Sequence, residues 1–232
     1  MTRESVQAYA RVAGVLFLLS MIGGALGEMY IPSKLIVSTD AAQTAANIRT
    51  SPFLFRLGFA TYLIEALCDV ALAWIFYVLL RPVNRNVALL SAFFGLVSTS
   101  LFGFAELFYF ASSLVLRDAP YLQSFSPDQR NTLALLALKT YALGAGAFMA
   151  FYGVATLIRG YLVFRSGYLP KFLGVLLGLA GVGFVAKNFL LVLAPAYSSD
   201  LLLLPMFFAG VSLTVWFLAR GVDVAKWEKM QA

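Results

Sequence analysis

The chain has 232 residues, 61% of them hydrophobic and 12% charged, with a formal charge of +6. Several uninterrupted apolar runs of about 20 residues, the length needed to cross a hydrocarbon core about 30 Å thick, exclude an ordinary soluble domain. Histidine is absent and Cys68 is the one cysteine; together these exclude an intrachain disulfide and argue against haem ligation, a histidine-built zinc or di-iron site and a Ser-His protease.

The length suits six spanning helices joined by short loops. The expected fold is therefore an all-α integral membrane protein, a six-transmembrane-helix bundle with a short outer-surface helix between helices one and two, forming a single transmembrane domain over residues 1–232. Helix one follows a short polar N-terminus and runs from Val12 to about Tyr30. Arg3 and Arg11 precede it, so it enters from the cytoplasm. Ala25-Leu26-Gly27 loosely resembles a cleavage site, which makes a removable signal peptide the rival reading. In an uncleaved helix, Gly23, Gly24 and Gly27 would let a neighbour approach closely, and Glu28 would lie near the outer boundary.

Residues 31–56 read as the one long loop. Within it Asp40 and Gln43 form a capping box opening a short helix, AAQTAANIR. Ser51-Pro52 opens helix two, which runs inward to Leu80 with Arg56 in its first turns. The turn RPVNRN, with Arg81 and Arg85, is an inside signal, and helix three returns from Val87 to about Leu116.

Ser126-Pro127 with Gln129 repeats the helix-start pattern. Helix four descends to about Ile158 and two turns beyond, with Arg159 and Arg165 on the inner side and Gly167 as a C-terminal stop. Pro170-Lys171 opens helix five, whose Gly174, Gly178, Gly181 and Gly183 indicate close helix packing. Ser199 and Asp200 cap helix six, Leu201 to Leu218. Arg220, Lys226 and Lys229 follow, with Trp227 suited to the interface.

On this topology the inner segments carry Arg3, Arg11, Arg81, Arg85, Arg159, Arg165, Lys171, Arg220, Lys226 and Lys229. The outer segments carry Lys34, Arg49, Arg56, Arg117 and Arg130. The bias places both termini in the cytoplasm.

The phrases KLIVSTDAAQTAANI, LCDVALAW, RPVNR, SFSPDQ and YLVFRSGYLP together resemble a bacterial membrane family catalogued as domain of unknown function four-three-eight-six, from about Ala10 to Val192. The resemblance implies a multi-pass bacterial membrane protein, and the expected location is the bacterial cytoplasmic membrane. It carries no activity and no site residues.

The candidate site comes from charges inside the spans. Glu65 and Asp69 share one helix face. At a rise of about 1.5 Å per residue, Glu65, Glu106, Lys139 and Lys187 fall at similar depth in the outer half, with Asp69 one turn deeper. Each such charge costs roughly 2.5 to 3.5 kcal/mol near the bilayer centre, so it needs a partner, a proton or a ligand.

One reading is a buried ionic network that only specifies helix packing. The other is a polar cavity for a small solute or a proton, lined by Glu65, Asp69, Glu106, Lys139 and Lys187. Thr61, Tyr62, Tyr109, Thr140, Tyr141 and Asn188 would contribute hydrogen bonds there. Acids outnumber bases in this set, which leaves protonated acids or a bound cation on one side and Arg56 or Lys34 folding inward to repair the balance on the other. An intramembrane enzyme using a lysine as base or nucleophile is a weaker third reading, since no catalytic motif accompanies it.

No cofactor or metal is implied. The partners expected are the lipid bilayer and a small-molecule or proton ligand, not nucleic acid, with the chain a monomer or small homo-oligomer.

Overall fold

The computed structural model describes residues 3–231, with side chains from Ser5 onward. The Arg3 side chain, counted above among the inner charges, lies outside the described residues. The described residues are mostly helical, joined by short turns, with no strand among them. Six stretches are long and apolar enough to span a membrane: Ser5–Leu35, Pro52–Leu80, Arg85–Val115, Pro127–Ser166, Lys171–Leu193 and Asp200–Ala219. The bundle exposes side chains such as Phe53, Leu67, Trp74, Leu143 and Val192 and buries Asp69, Glu106 and Arg159, which suits a lipid solvent.

Helix α1 (Arg3–Gly24) starts two turns before the apolar run. Its polar first turns are held by a contact distant in sequence: the Gln7 amide donates to the Arg220 carbonyl at 2.8 Å and accepts from the Val222 N–H at 3.1 Å. The helix also does not stop at Tyr30. It widens into a π-helical segment, Ala25–Tyr30, and continues as α2 (Ile31–Leu35). Pro32 supplies a reason for the change of pitch, because its ring and missing N–H disturb the preceding turn of a regular helix.

The expected long loop is therefore short and holds α3 (Ala41–Thr50). Asp40 caps α3 through the Gln43 N–H at 2.8 Å, but the Gln43 side chain turns to Asn47 instead of closing the box. Helix α4 (Pro52–Leu80) begins at the expected proline. Asn84 caps α5 (Arg85–Val115) through the Val87 N–H.

Helix α6 (Pro127–Ser166) has 40 residues, about 60 Å at 1.5 Å per residue. Here the capping box is reciprocal: Gln129 N–H donates to Ser126 Oγ, and Ser126 N–H donates to Gln129 Oε1. Gly167, at φ 68°, ends the helix as expected. Helix α7 (Lys171–Leu193) lies against α6: a Cβ on Gly174 would stand 2.6 Å from the Phe164 nitrogen, and one on Gly181 2.7 Å from the Gly153 carbonyl. A 3-10 turn capped by Ser199 leads into α8 (Leu204–Ala219).

Helix α9 (Val224–Gln231) has no counterpart among the expected elements. Its Trp227, expected at the interface, is fully buried and donates its indole N–H to the Leu79 carbonyl at 2.8 Å. The same carbonyl accepts the Tyr168 hydroxyl at 2.6 Å. Burial pushes the Tyr168 phenol well above its ordinary pKa, so it stays a neutral donor.

The residues form two compact units, Met1–Ser20 with Leu67–Ser100 and Gly146–Ala232, and Met21–Ala66 with Leu101–Ala145. The first holds the main apolar core, including Val6, Ala10, Leu72, Phe76, Leu79, Leu162, Phe217 and Trp227. Arg159 lies in this unit too. Expected among the inner-side charges, it is only 4% exposed. Its guanidinium packs 4.9 Å from the Phe76 ring centroid and 5.7 Å from that of Tyr152. Gly95 makes room for it, since a Cβ there would stand 2.8 Å from Arg159 Nη2.

Candidate functional site

The second unit contains a polar core built on Glu106. Along α5, Phe102, Ala105, Glu106, Tyr109 and Ser112 are all buried, the 3–4 spacing of one inward-facing stripe. Three tyrosines from three helices meet there. The ring centroids of Tyr62 and Tyr109 are 5.4 Å apart, and Tyr141 lies 5.6 Å from each.

Two of their hydroxyls tie helices together. Tyr62 donates to the Gly27 carbonyl at 2.7 Å and Tyr109 to the Phe55 carbonyl at 3.2 Å. Two glycines allow this approach: a Cβ on Gly27 would stand 2.6 Å from Thr61 Oγ1, and one on Gly58 2.5 Å from the Tyr109 hydroxyl. The Gly27 acceptor belongs to the π-helical segment, a distortion that recurs at functional sites.

Glu106 is 4% exposed. The Tyr141 hydroxyl interacts with its carboxyl and Glu28 is within electrostatic range, yet neither Glu106 oxygen meets a donor at hydrogen-bonding geometry. Both oxygens are thus buried, with the Tyr141 hydroxyl as a polar neighbour that stands outside hydrogen-bonding geometry. Among the described residues no three His, Cys, Asp or Glu side chains converge as a metal-binding group.

The five sequence-predicted residues have distinct surroundings. Glu65 lies in the same unit as Glu106, with both carboxyl oxygens 3.6 Å from where a Cβ on Gly24 would stand. Lys139 belongs to this unit as well but is exposed. The buried face of α6 there is Ala134, Leu138 and Tyr141, and a residue directly after Leu138 falls off that stripe. Asp69 and Lys187 belong to the other unit. Asp69 is buried, and Lys187 pairs with the exposed Asp200 at 2.6 Å. Neither lysine is an ion-pair partner of Glu106.

The expected hydrogen-bonding residues divide in the same way. Thr61, Thr140 and Asn188 bond carbonyls of their own helices, to Gly58, Leu136 and Phe184. Tyr62 and Tyr109 reach other helices. Sequence reasoning did not find Gly58, whose role depends on a tyrosine 51 positions away, and it named Arg159 without foreseeing its burial, which depends on the missing side chain of Gly95. No local motif marks either one.

Comparison with known proteins supplies a family. The family described as Domain of unknown function (DUF4386) matches residues 12–221, so the resemblance extends past Val192 to include α8. An uncharacterized protein of Archaeoglobus fulgidus is 27% identical over 158 residues, covering 66% of this chain and 76% of that protein. No solved structure matches. The chain belongs to the family of Domain of unknown function (DUF4386) and is a multi-pass membrane protein.

Proposed function

We propose that this membrane protein of the DUF4386 family binds a proton or a small cationic solute at Glu106, within the outer half of the bacterial cytoplasmic membrane, with both termini in the cytoplasm. The observation that carries this reading is the Glu106 carboxyl, 4% exposed and with neither oxygen hydrogen-bonded. A carboxylate so placed needs a compensating charge or a proton, at a cost of several kcal/mol if it has neither. The lysines do not meet that need, as Lys139 is exposed and Lys187 pairs with Asp200. Tyrosine faces add cation affinity, about 0.5 to 2 kcal/mol per well-placed ring.

Transport follows if the bound species exchanges with both sides of the membrane. Proteoliposomes carrying an internal pH indicator test this. Wild-type protein should relax an imposed proton or organic-cation gradient faster than protein-free vesicles, and Glu106→Gln should not. Equal relaxation by the two proteins removes Glu106 from the account.

A packing role has its own support in the Tyr62 and Tyr109 hydroxyls, each bonded to a carbonyl of another helix segment. On that reading Tyr62→Phe lowers thermal stability and no variant of Glu106 changes any flux.

A further inference from the structure

Near the ends of the spans, α3, the first turns of α4 and the last turns of α5 enclose a cavity of about 370 Å³ that is separate from Glu106. Its lining includes Arg49, Arg56 and Arg117 together with Phe55, Phe110 and Leu116, and no acidic residue. Phe55 and Leu116 are buried, whereas the three arginines are exposed. The cavity therefore has an apolar floor and a basic rim.

Among the described residues none of the three guanidiniums has an ion-pair partner, although Arg49 is steadied by the Asn131 side-chain oxygen at 3.1 Å. Arg56 is in the first turns of α4, where the positive end of the helix dipole adds to its charge. Arg117 lies just past the end of α5 at Val115. The ends of spanning helices lie at the level of lipid headgroups, and arginine pairs with phosphate through two parallel hydrogen bonds.

We infer that this cavity holds the phosphate headgroup of an anionic phospholipid, its glycerol end over Phe55 and Phe110 and its tails in the bilayer. The net charge of the headgroup follows from the rim. Three cations facing one phosphate leave positive charge over, which repels the ammonium of a zwitterionic headgroup and accepts a net-negative one. Phe55 also stacks on Tyr109 at 4.4 Å between centroids, so an occupied cavity would brace one wall of the tyrosine cluster.

Native mass spectrometry of the full chain, supplied with phosphatidylglycerol or phosphatidylcholine, tests the inference. Phosphatidylglycerol should be retained preferentially, and Arg56→Gln with Arg117→Gln should weaken it roughly thirtyfold. Ser113→Leu, which keeps all three charges and narrows the cavity, should weaken it as well. Inorganic phosphate should compete poorly. Equal retention of the two lipids, indifference to the arginine pair or to Ser113→Leu, or full displacement by inorganic phosphate would each overturn the assignment. Glu106→Gln should leave lipid retention unchanged, so this test stands or fails separately from the proton or cation site.

Discussion

Glu106 and Lys139 fall at similar depths along their helices, but only Glu106 lies on a buried stripe. Depth is legible in a sequence because helical rise is constant; facing is legible only where the apolar pattern has one clear side. In α6 that pattern is weak around Lys139, since Leu136 and Leu143 are exposed apolar residues while Leu138 and Tyr141 are buried ones. In a lipid solvent both faces of a helix are apolar, which removes the contrast that orients helices in water. Close packing gives a sharper residue-scale prediction. Gly27→Ala puts a methyl 2.6 Å from Thr61 Oγ1 and should cost about 1 to 3 kcal/mol. Gly103→Ala meets nothing within 4 Å and should be neutral or stabilise by up to about 1 kcal/mol. Thermal unfolding in detergent compares the two, and equal melting points would contradict the packing described.

At the scale of elements, capping residues read well and terminal helices did not. Ser126, Gln129 and Gly167 act locally and were legible, because each satisfies or ends a helix within a few residues of itself. Helix α9 was not, because its anchor is the Leu79 carbonyl, 148 residues from Trp227. Trp227→Ala should destabilise by about 3 to 5 kcal/mol, whereas an interfacial tryptophan would cost far less; chemical denaturation measures the difference. The α9 cap adds a pH dependence. The Lys226 backbone N–H, and after it the Lys226 side chain, hold the Asp223 carboxyl below its ordinary range. Its contribution is therefore present above the unfolded carboxylate value and is lost as pH falls through the lower folded value. Acidification should loosen α9 by this route, seen as a red shift of Trp227 emission that Asp223→Asn shows already at neutral pH.

For the whole molecule, six spans and the membrane class were legible from composition and run length alone, since crossing lipid demands about 20 apolar residues per helix. The charge bias also fixes an expected orientation. A C-terminal reporter that is active only in the cytoplasm should signal, and one active only outside should be silent; the reverse would contradict the proposed topology. What composition could not supply is which embedded charges are compensated. Arg159 is covered by two aromatic rings and Lys187 pairs with Asp200, whereas Glu106 has both carboxyl oxygens buried and neither at hydrogen-bonding geometry to a donor among the described residues. The most direct measurement is the infrared carboxyl spectrum of the reconstituted protein through a pH titration and through addition of small organic cations. The account predicts a protonated-carboxyl band that disappears on titration or cation binding in the wild type and is missing in Glu106→Gln. A spectrum that is the same in both proteins, unchanged by pH and by cations, would contradict it.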